Sequence, residues 1–201
     1  MSFIDYRDFP LITPLVEYLK VNSEVLAAEA IRGIERFSPS PERYIMDDVR
    51  LFILPSIWQR KRIDQAGLEP GDYRQWQPSS SHAQLAESTT TLSALCNHPA
   101  VVTAYYSMSM PGCEIIPHTD NVSAIGDVYR LHVGLRCPDG DCALEVDGER
   151  RQWRNGEAFV FDSARVEHAA WNRTDQPRLI AIIDLDRAML EGSRQAGILT
   201  A

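Results

Sequence analysis

Two histidines and one aspartate have the residue types and spacing of a metal site. His118 and Asp120 are two residues apart, and His168 lies fifty positions after His118. Because side chains two residues apart on a strand lie on the same face, His118 and Asp120 could bind one metal from the same side, and His168 from a distant strand would complete the set. Two imidazoles and one carboxylate leave coordination positions open, as in non-haem Fe(II) oxygenases.

The His-x-Asp pair also has an ordinary alternative. A histidine in a loop is commonly hydrogen-bonded to a nearby carboxylate without any metal, and a short motif of this kind occurs by chance. The choice between the two interpretations therefore depends on the elements that position the three residues.

Composition indicates a soluble globular protein. The chain has 201 residues, of which 44% are hydrophobic and 24% charged, so it can bury a sizeable core. Its net charge is −8, and its basic cluster Arg60-Lys61-Arg62 is short and fits a solvated surface. We therefore expect neither a nucleic acid nor an anionic membrane as partner.

The N-terminus and the cysteines favour a cytoplasmic location. Residues 1–8 carry acids where a signal peptide has a basic segment, and no apolar run reaches the length of a membrane span. Cys137 and Cys142 superficially resemble half a zinc site, but no second pair at zinc-ribbon spacing accompanies them. We expect reduced thiols rather than a disulfide framework at Cys96, Cys113, Cys137 and Cys142.

Residues 1–98 are predicted to be a helical N-terminal support region. Apolar residues recur at spacings of three and four within 14–19 and 23–37, Ser23 suits an N-cap, and the Pro-rich segment 38–41 ends the second helix. Another helix is predicted at 82–96, whereas residues 51–54 fit a strand or a buried linker. We expect this region to pack on a catalytic core formed by residues 99–201, in one compact unit.

The core is predicted to be a double-stranded β-helix, the cupin-like jelly roll, which makes the chain mainly β. Short runs rich in Val, Ile, Tyr, Phe and Trp favour strands. Asp-Gly and Asn-Gly pairs between them favour type I′ hairpin turns, whose two central residues need positive φ. Many short strands without intervening helices are typical of jelly rolls. The eight predicted strands are 101–108, 114–117, 129–136, 143–146, 150–154, 157–161, 168–172 and 179–185.

The segment from Ser107 to Asp186 resembles the aspartyl/asparaginyl β-hydroxylases, a family of Fe(II)- and 2-oxoglutarate-dependent oxygenases. The matching motifs follow the family's order at nearly its spacings, and the N-terminal half shows no match. They are Ser107-x-x-x-Pro111-Gly112, Pro117-His118-Thr119, Arg130-Leu131-His132-Val133-Gly134-Leu135, Trp153-x-x-Gly156-Glu157, Phe161-Asp162, Glu167-His168 with Trp171, and Arg178-Leu179-Ile180-Ala181-Ile182-Ile183-Asp184.

The resemblance implies that His118 and His168 ligate iron. Animal members of the family have glycine where this chain has Asp120, and they bind iron through two histidines alone. Since a carboxylate is available here, we predict a site with three ligands, and a carboxylate ligand also argues against a halogenase. The implied cofactors are Fe(II), O₂ and 2-oxoglutarate as cosubstrate, with ascorbate as reductant.

The resemblance further implies that Arg178, Arg130, His132 and Ser107 bind 2-oxoglutarate. A guanidinium suits a carboxylate because it donates two parallel hydrogen bonds. Arg130 and His132 share one face of their strand, where a dicarboxylate would supply the partner that buried charge needs. Taken singly, each has another interpretation: an exposed arginine for Arg178, an ion pair with Asp127 for Arg130, a satisfied core histidine for His132 and an ordinary strand serine for Ser107.

The implied reaction is hydroxylation of an sp3 carbon in an amino-acid unit, with the β-carbon of aspartate or asparagine as first expectation. The partner would be a small-molecule or carrier-tethered amino acid, or a peptide. Candidate substrate contacts, which could equally serve packing or loop polarity, are Arg165, Trp171, Tyr105, Asn121 and Ser123.

Two other functions stay open from the sequence. A cupin-type metal enzyme that does not use 2-oxoglutarate would share the fold and the ligands, and formation of succinate would separate it from an oxygenase. A catalytically silent jelly-roll binding protein would keep the histidines for structure, and it would bind no stoichiometric Fe(II).

Overall fold

The computed structural model describes residues 2–37, 51–54, 58–60, 76–78, 91, 95, 97–120 and 126–199. The helices in these ranges are α1 (Thr13–Val21), α2 (Ser23–Phe37) and α3 (Arg187–Leu199), besides a 3₁₀ turn at Tyr6–Asp8. The strands are β1 (Phe3–Ile4), β2 (Leu51–Leu54), β3 (Trp58–Arg60), β4 (Trp76–Pro78), β5 (Val101–Ser109), β6 (Cys113–His118), β7 (Val128–Arg136), β8 (Cys142–Val146), β9 (Glu149–Gln152), β10 (Ala158–Phe161), β11 (His168–Asn172) and β12 (Arg178–Asp186).

The strands form two sheets with the topology of a jelly roll. The large sheet has the order β1-β10-β7-β12-β5-β3-β4, with β2 also paired to β5, and the small sheet has the order β6-β11-β8-β9. From β5 to β12 the chain crosses repeatedly between the sheets, and every pairing is antiparallel. This arrangement confirms the predicted double-stranded β-helix, and each of the eight predicted strands is present.

The described turns between β5 and β12 include one hairpin, and the others cross between the two sheets. Asp147 and Gly148 have φ of 49° and 76°, so both have the positive φ of a type I′ turn, and they join the paired strands β8 and β9. At Asp139-Gly140 and Asn155-Gly156 only the glycine has positive φ. These two turns connect strands of different sheets, so the prediction that they form hairpins was wrong.

Both faces of the large sheet are buried at its central strands β7 and β12. Its outer face carries the odd-numbered residues 131–135 of β7, which pack with α1 and α2 through Val16, Leu19 and Leu26. Its inner face is covered by the small sheet, where Phe159 and Phe161 pack against Leu144. Because strands covered on both sides need no polar alternation, β7 and β12 are buried along nearly their whole length. A polar side chain on the inner face is therefore withdrawn from water.

A buried carboxylate attaches α2 to the outer face of the large sheet. Glu29 accepts a hydrogen bond from the Tyr106 hydroxyl at 2.7 Å and another from the backbone N–H of Thr91 at 2.8 Å. Burial, reinforced by the Glu29 charge, raises the pKa of Tyr106 well above its ordinary value, so the hydroxyl stays a donor.

The N-terminal region is only partly the helical support that the sequence predicts. The helices at 14–19 and 23–37 are confirmed, but β1 pairs with β10, and β2 and β3 pair with β5. The strand predicted as one alternative for residues 51–54 is confirmed as β2, whereas β1, β3 and β4 were not predicted. β1 and β3 cover edges that β10 and β5 would otherwise leave with unpaired backbone groups. Residues 91 and 95 are helical, and the rest of the helix predicted at 82–96 lies outside the described residues.

Cys113, Cys137 and Cys142 are thiols rather than halves of disulfide bonds, as expected, whereas Cys96 lies outside the described residues. Among the helices that the structure describes, none has the length and apolar character needed to cross a membrane.

Candidate metal centre

The three predicted ligands meet at one end of the small sheet. His118 is the last residue of β6 and His168 the first of β11, and the two lie opposite each other in register. Asp120 follows two residues after His118, where its backbone N–H donates to the Ser163 carbonyl at 2.9 Å. These side chains are between 7 and 18% exposed, so the cluster is shielded but reachable from solvent.

The hydrogen bonds of the two imidazoles direct their Nε2 atoms toward Asp120. His118 Nδ1 donates to the Ile116 carbonyl at 2.8 Å, and His168 Nδ1 donates to the Val166 carbonyl at 3.1 Å. Because a carbonyl can only accept, each Nδ1 carries the proton and each Nε2 keeps its lone pair for another partner. Backbone carbonyls that orient histidines in this way are typical of metal sites.

The distances fit one cation better than direct hydrogen bonds. The Nε2 atoms of His118 and His168 lie 3.8 and 3.9 Å from the two carboxylate oxygens of Asp120, beyond hydrogen-bonding distance. The three ligand atoms lie within 4.8 Å of one another. Since ligands about 2.1 Å from one ion are at most about 4.2 Å apart, small shifts would let all three bind the same ion.

The His168 imidazole is neutral near pH 7, as a metal ligand must be. Burial, opposed by the hydrogen bond to the Val166 carbonyl and reinforced by His118, lowers the pKa of His168 to about 4. No proton therefore has to be removed from this ring before it can bind a cation.

Arg130 lies between two carboxylates rather than on the protein surface. Its Nη1 donates to Asp120, its Nε donates to Asp184 Oδ1 at 2.7 Å, and its Nη2 donates to Asp184 Oδ2 at 3.2 Å. Burial opposes its charge, but Asp184, with Tyr105 and Asp120, more than offsets this and raises the pKa of Arg130. The alternative of a surface ion pair with Asp127 was wrong, because Asp127 pairs with other arginines.

Arg178 is the opposite case: a buried guanidinium with no carboxylate partner among the described residues. It is 3% exposed, its Nη2 donates to Ser107 Oγ at 3.2 Å, and its guanidinium carbon lies 4.5 Å from the centre of the Trp153 ring. Its Nε has no hydrogen-bond partner within the part of the chain that the structure describes. Burial, partly offset by Cys142 and nearby thiols, lowers the pKa of Arg178. The alternative of an exposed arginine was therefore wrong.

His132 lies in the same interior, and it also lacks polar partners in the described structure. Both ring nitrogens are buried without a hydrogen bond, as is the hydroxyl of Ser109. The ring stacks on Trp153 at a centroid distance of 6.1 Å. Burial, reinforced by Arg130 and Arg178, lowers the pKa of His132 well below its usual value. His132 is thus not a satisfied core histidine, and a polar ligand would satisfy it.

The candidate substrate contacts lie in different places. Tyr105 packs against the inner core, near Arg130. Arg165 is bound to Asp127 through two hydrogen bonds of 2.8 and 3.0 Å at the surface. Trp171 belongs to the outer face of the small sheet, away from the ligands. Asn121 and Ser123 lie outside the described residues.

Trp171 is directed outward because the side chains of a strand alternate. His168, Ala170 and Asn172 are buried, whereas Trp171 is only partly buried. Its ring lies between the guanidinium groups of Arg150 and Arg173, at 4.9 and 5.1 Å. Its Nε1 donates to Asp141 at 2.6 Å. This placement does not suit a contact with a substrate at the metal.

Two residues of the site carry roles that the sequence analysis missed. Asp184 lies inside the matching motif and is the partner of Arg130, and Trp153 covers Arg178. A signal for Asp184 existed: it has the same strand phase as Arg178 and is an acid in an otherwise apolar run. No local signal indicated Trp153, because its contact depends on how the sheets stack.

Known proteins similar to this chain include two hydroxylases. An ornithine lipid ester-linked acyl 2-hydroxylase of Rhizobium tropici is 31% identical over 116 residues, which cover 57% of this chain and 40% of the relative. The aspartyl/asparaginyl beta-hydroxylase of Mus musculus is 27% identical over 150 residues, 70% of this chain and 19% of the relative. The chain thus spans less than half the length of either.

Among solved structures, a cupin conserved barrel domain protein from Salinispora arenicola is 19% identical, with a TM-score of 0.33 over 47% of this chain and 71% of that chain. The fold assignment here depends on the strand order, not on this likeness.

The family profile described as aspartyl/asparaginyl beta-hydroxylase matches residues 17–188. The match includes most of the N-terminal half, where the sequence analysis found none. The chain belongs to the aspartyl/asparaginyl β-hydroxylase family.

Proposed function

We propose that this protein is an Fe(II)- and 2-oxoglutarate-dependent dioxygenase that hydroxylates an sp3 carbon. His118, Asp120 and His168 would hold the iron, and Arg178 with Ser107 would hold one carboxylate of 2-oxoglutarate. The observation that carries the proposal is the buried Arg178 guanidinium, which lacks a carboxylate partner among the described residues and lies in the barrel whose end carries the three ligands. A buried charge of this kind needs an anion.

The buried charges support the same assignment. Asp120 and Asp184 are negative, and Arg130 and Arg178 are positive. Addition of a divalent cation and a dicarboxylate contributes two charges of each sign, so the complete site would stay neutral. A cation alone would leave an excess of positive charge inside a low-dielectric barrel, which costs free energy. Metal and cosubstrate are therefore expected to favour each other's binding.

Ferrous iron with 2-oxoglutarate and O₂ would supply the oxidising chemistry that breaks an unactivated C–H bond. The protein would supply the rest. The two imidazoles and one carboxylate leave open positions at the metal, and Arg178 would orient the cosubstrate from the far end of the pocket. Phe159, Phe161 and Ile182 line the interior and exclude water from it.

Two substrate classes follow from the relatives. The family description favours an amino-acid unit, free, carrier-bound or in a peptide, at the β-carbon of aspartate or asparagine. The Rhizobium tropici relative is named for hydroxylation of an ester-linked acyl chain in an ornithine lipid, which makes such a chain the second candidate. Both place the reacting carbon close to a carbonyl group.

The test is a product screen with the reconstituted protein. Free amino acids, short aspartyl peptides and an ornithine lipid are each incubated with Fe(II), ascorbate and 2-oxoglutarate, and mass spectrometry detects a product heavier by one oxygen. The expected result is such a product, formed only with 2-oxoglutarate and matched by succinate. A product formed equally without 2-oxoglutarate would indicate a cupin-type enzyme of another class. Failure to bind stoichiometric Fe(II) would indicate a silent binding protein.

A further inference from the structure

We infer that Arg130 is a positioning residue for the metal ligand Asp120, held in place by Asp184 and Thr103, and is not part of the cosubstrate site. This inference rests on the proposed function, since it concerns how the metal site is assembled. It departs from the role that family resemblance assigns to Arg130, and it gives Asp184 and Thr103 a function.

The three supporting residues form a row across the large sheet. Asp184 on β12 is paired in register with Thr103 on β5 and with Arg130 on β7. Thr103 Oγ1 donates to Asp184 Oδ2 at 2.9 Å, and Arg130 donates to both oxygens of the same carboxylate at 2.7 and 3.2 Å. Because Asp184 is only 2% exposed, the two-pronged pair is protected from solvent and fixes the guanidinium plane.

A guanidinium fixed in this way presents its remaining edge to Asp120. Nη1 of Arg130 donates to Asp120 Oδ2, while Oδ1 of the same carboxylate lies 3.8 Å from His118 Nε2. One oxygen of Asp120 is thus bound by an arginine and the other is available to a cation. Coordination through a single oxygen leaves more open positions at an octahedral metal than coordination through two.

Asp184 also limits how strongly Arg130 competes with a metal. With two carboxylate partners, the charge of Arg130 is shared between them and does not fully neutralise Asp120. Without the Asp184 charge, Arg130 would bind Asp120 more strongly and would be free to turn toward it. Both effects weaken a metal at Asp120, because a cation and Arg130 then compete for the same carboxylate.

The two buried arginines of the barrel therefore have different tasks. All three of the Arg130 nitrogens have hydrogen-bond partners on two carboxylates, whereas Arg178 has Ser107 and no acid within the described part of the chain. Arg130 thus uses three of its five N–H donors on protein carboxylates, and these two carboxylates already balance its charge. Arg178 has the capacity that the cosubstrate needs.

The experiment measures metal and cosubstrate affinity separately in the full chain. Metal-free protein is titrated with Co(II) by calorimetry, and the Co(II)-saturated protein is then titrated with 2-oxoglutarate. We expect Asp184→Asn to raise the Kd for Co(II) at least about tenfold, which is the usual effect of losing such a supporting contact. The Kd for 2-oxoglutarate at saturating Co(II) should change by less than about threefold, whereas Arg178→Lys should change it more.

Asp186→Asn is the matched control. Asp186 lies on the same strand, is also buried, and accepts a hydrogen bond from the Met189 N–H at the start of α3 rather than from Arg130. The Kd of the Asp186→Asn protein for Co(II) should stay within about twofold of the wild-type value. Thr103→Val removes the hydroxyl that donates to Asp184, and it should raise the Kd for Co(II) by a smaller factor than Asp184→Asn does. This variant serves as the test if Asp184→Asn does not fold.

Two outcomes would overturn the inference. One is an unchanged Kd for Co(II) in folded Asp184→Asn, or in Thr103→Val where that variant carries the test. The other is a loss of 2-oxoglutarate affinity at saturating Co(II) in Asp184→Asn as large as the loss in Arg178→Lys, which would return Arg130 to the cosubstrate site. The wild-type titration reports on the proposed function by itself: absence of Co(II) binding there would refute the metal site as well, whereas binding with unaffected variants would refute only the role of Arg130.

Discussion

Two buried arginines of this protein differ in whether carboxylates of the protein neutralise their charge, and this difference indicates their roles better than burial does. Arg130 and Arg178 are both inside the barrel and both alternate with apolar residues. Arg130 is neutralised by carboxylates of the protein, and Arg178 is not neutralised by any described residue. A guanidinium left without a counter-ion is costly unless a ligand supplies one. This contrast is the reason for proposing that Arg130 supports the site and that Arg178 binds a ligand.

Arg178→Lys is expected to weaken 2-oxoglutarate binding by at least about tenfold at saturating metal, with little change in metal affinity. Lysine keeps the charge but cannot donate two parallel hydrogen bonds to a carboxylate. Calorimetric titration measures both affinities. Arg173→Lys is the control, because Arg173 is half exposed and pairs with Glu114. Equal losses of metal and cosubstrate affinity in Arg178→Lys would contradict the carboxylate-binding role.

Trp171→Ala is expected to leave succinate formation within about twofold of wild type and to lower stability. The ring is on the outer face, where it stacks with Arg150 and Arg173 and donates to Asp141, so its loss removes about 1–2 kcal/mol of surface contacts. A turnover assay measures the rate of succinate formation, and thermal unfolding measures the stability. Loss of turnover without loss of stability would place Trp171 at the substrate after all.

The cluster of His118, Asp120 and His168 was predictable from the sequence, whereas the contacts of Asp184 with Arg130 and Thr103 were not. His118 and Asp120 are neighbours in a short motif, and strand alternation places them together. Asp184 is 64 positions from Asp120 in the sequence. Both carboxylates contact Arg130 only because β12 pairs with β7 in the register that places Asp184 opposite Arg130. The alternation rule, carried from His168 along its strand, would have placed Trp171 on the opposite face.

At the scale of elements, β7 depends on a glycine that no other residue can replace. A Cβ on Gly134 would lie 2.1 Å from the Arg154 carbonyl oxygen and 3.0 Å from Cys137 Sγ. The main clash is with backbone, which cannot rotate away as a side chain can. The close approach lets the β9–β10 connection hydrogen-bond to β7 through Gly156 N–H and the Gly134 carbonyl at 2.9 Å.

Gly134→Ala is therefore expected to destabilise the protein by more than about 3 kcal/mol or to prevent folding, since overpacking against backbone forces strands apart. Gly192→Ala is the control: it lies in α3 with no atom within 4 Å of the added methyl, and alanine favours helix by up to about 1 kcal/mol. Chemical denaturation measures the free energy of unfolding of both variants. A Gly134→Ala protein as stable as wild type would contradict the close strand packing.

The contact between β7 and α3 predicts a loss of stability at alkaline pH. Burial, reinforced by the hydrogen bond to Glu191, raises the pKa of Tyr129 from 10 to about 12. An acid whose pKa is higher in the folded state retains its proton there. The contribution of Tyr129 to the free energy of unfolding is therefore complete below pH 10 and is lost as pH rises toward 12. Tyr129→Phe should flatten that part of the stability curve. An identical alkaline loss in the variant would exclude Tyr129 as its source.

Strands were predictable one by one, whereas their partners were not. Each β run has apolar and β-branched residues that identify it locally. The Asn155-Gly156 turn has the residues of a hairpin turn, yet it connects strands of different sheets. The reason is that β10 pairs with β7, a contact that depends on the arrangement of all the strands and not on the turn. The strands β2 and β3 similarly depend on the free edge of β5.

For the whole molecule, the large sheet separates two interiors with different tasks. The outer interior, between the sheet and α1 and α2, is apolar apart from contacts such as that of Glu29 with Tyr106. The inner one contains Arg130, His132 and Arg178. The outer side is thus nearly all apolar, whereas the inner side combines an apolar cluster with polar, partly unsatisfied groups, as functional sites commonly do.

Metal and 2-oxoglutarate together should therefore stabilise the fold. At concentrations about a hundredfold above their dissociation constants, each ligand adds about 2.7 kcal/mol, which raises the Tm by several degrees for a chain of this size. Thermal unfolding with Co(II) and 2-oxoglutarate should show a shift larger than with 2-oxoglutarate and EDTA. An equal shift in the two conditions would mean that the ligands do not share one site.

Formation of succinate by the Fe(II)-reconstituted protein tests whether three side chains bind iron beside an arginine that binds 2-oxoglutarate. We predict iron-dependent succinate formation by the wild type, its retention in Cys142→Ser, and its loss in His168→Ala, which removes a ligand. Succinate formation at the wild-type rate by His168→Ala, or none by an iron-loaded wild type, would refute the proposed dioxygenase function.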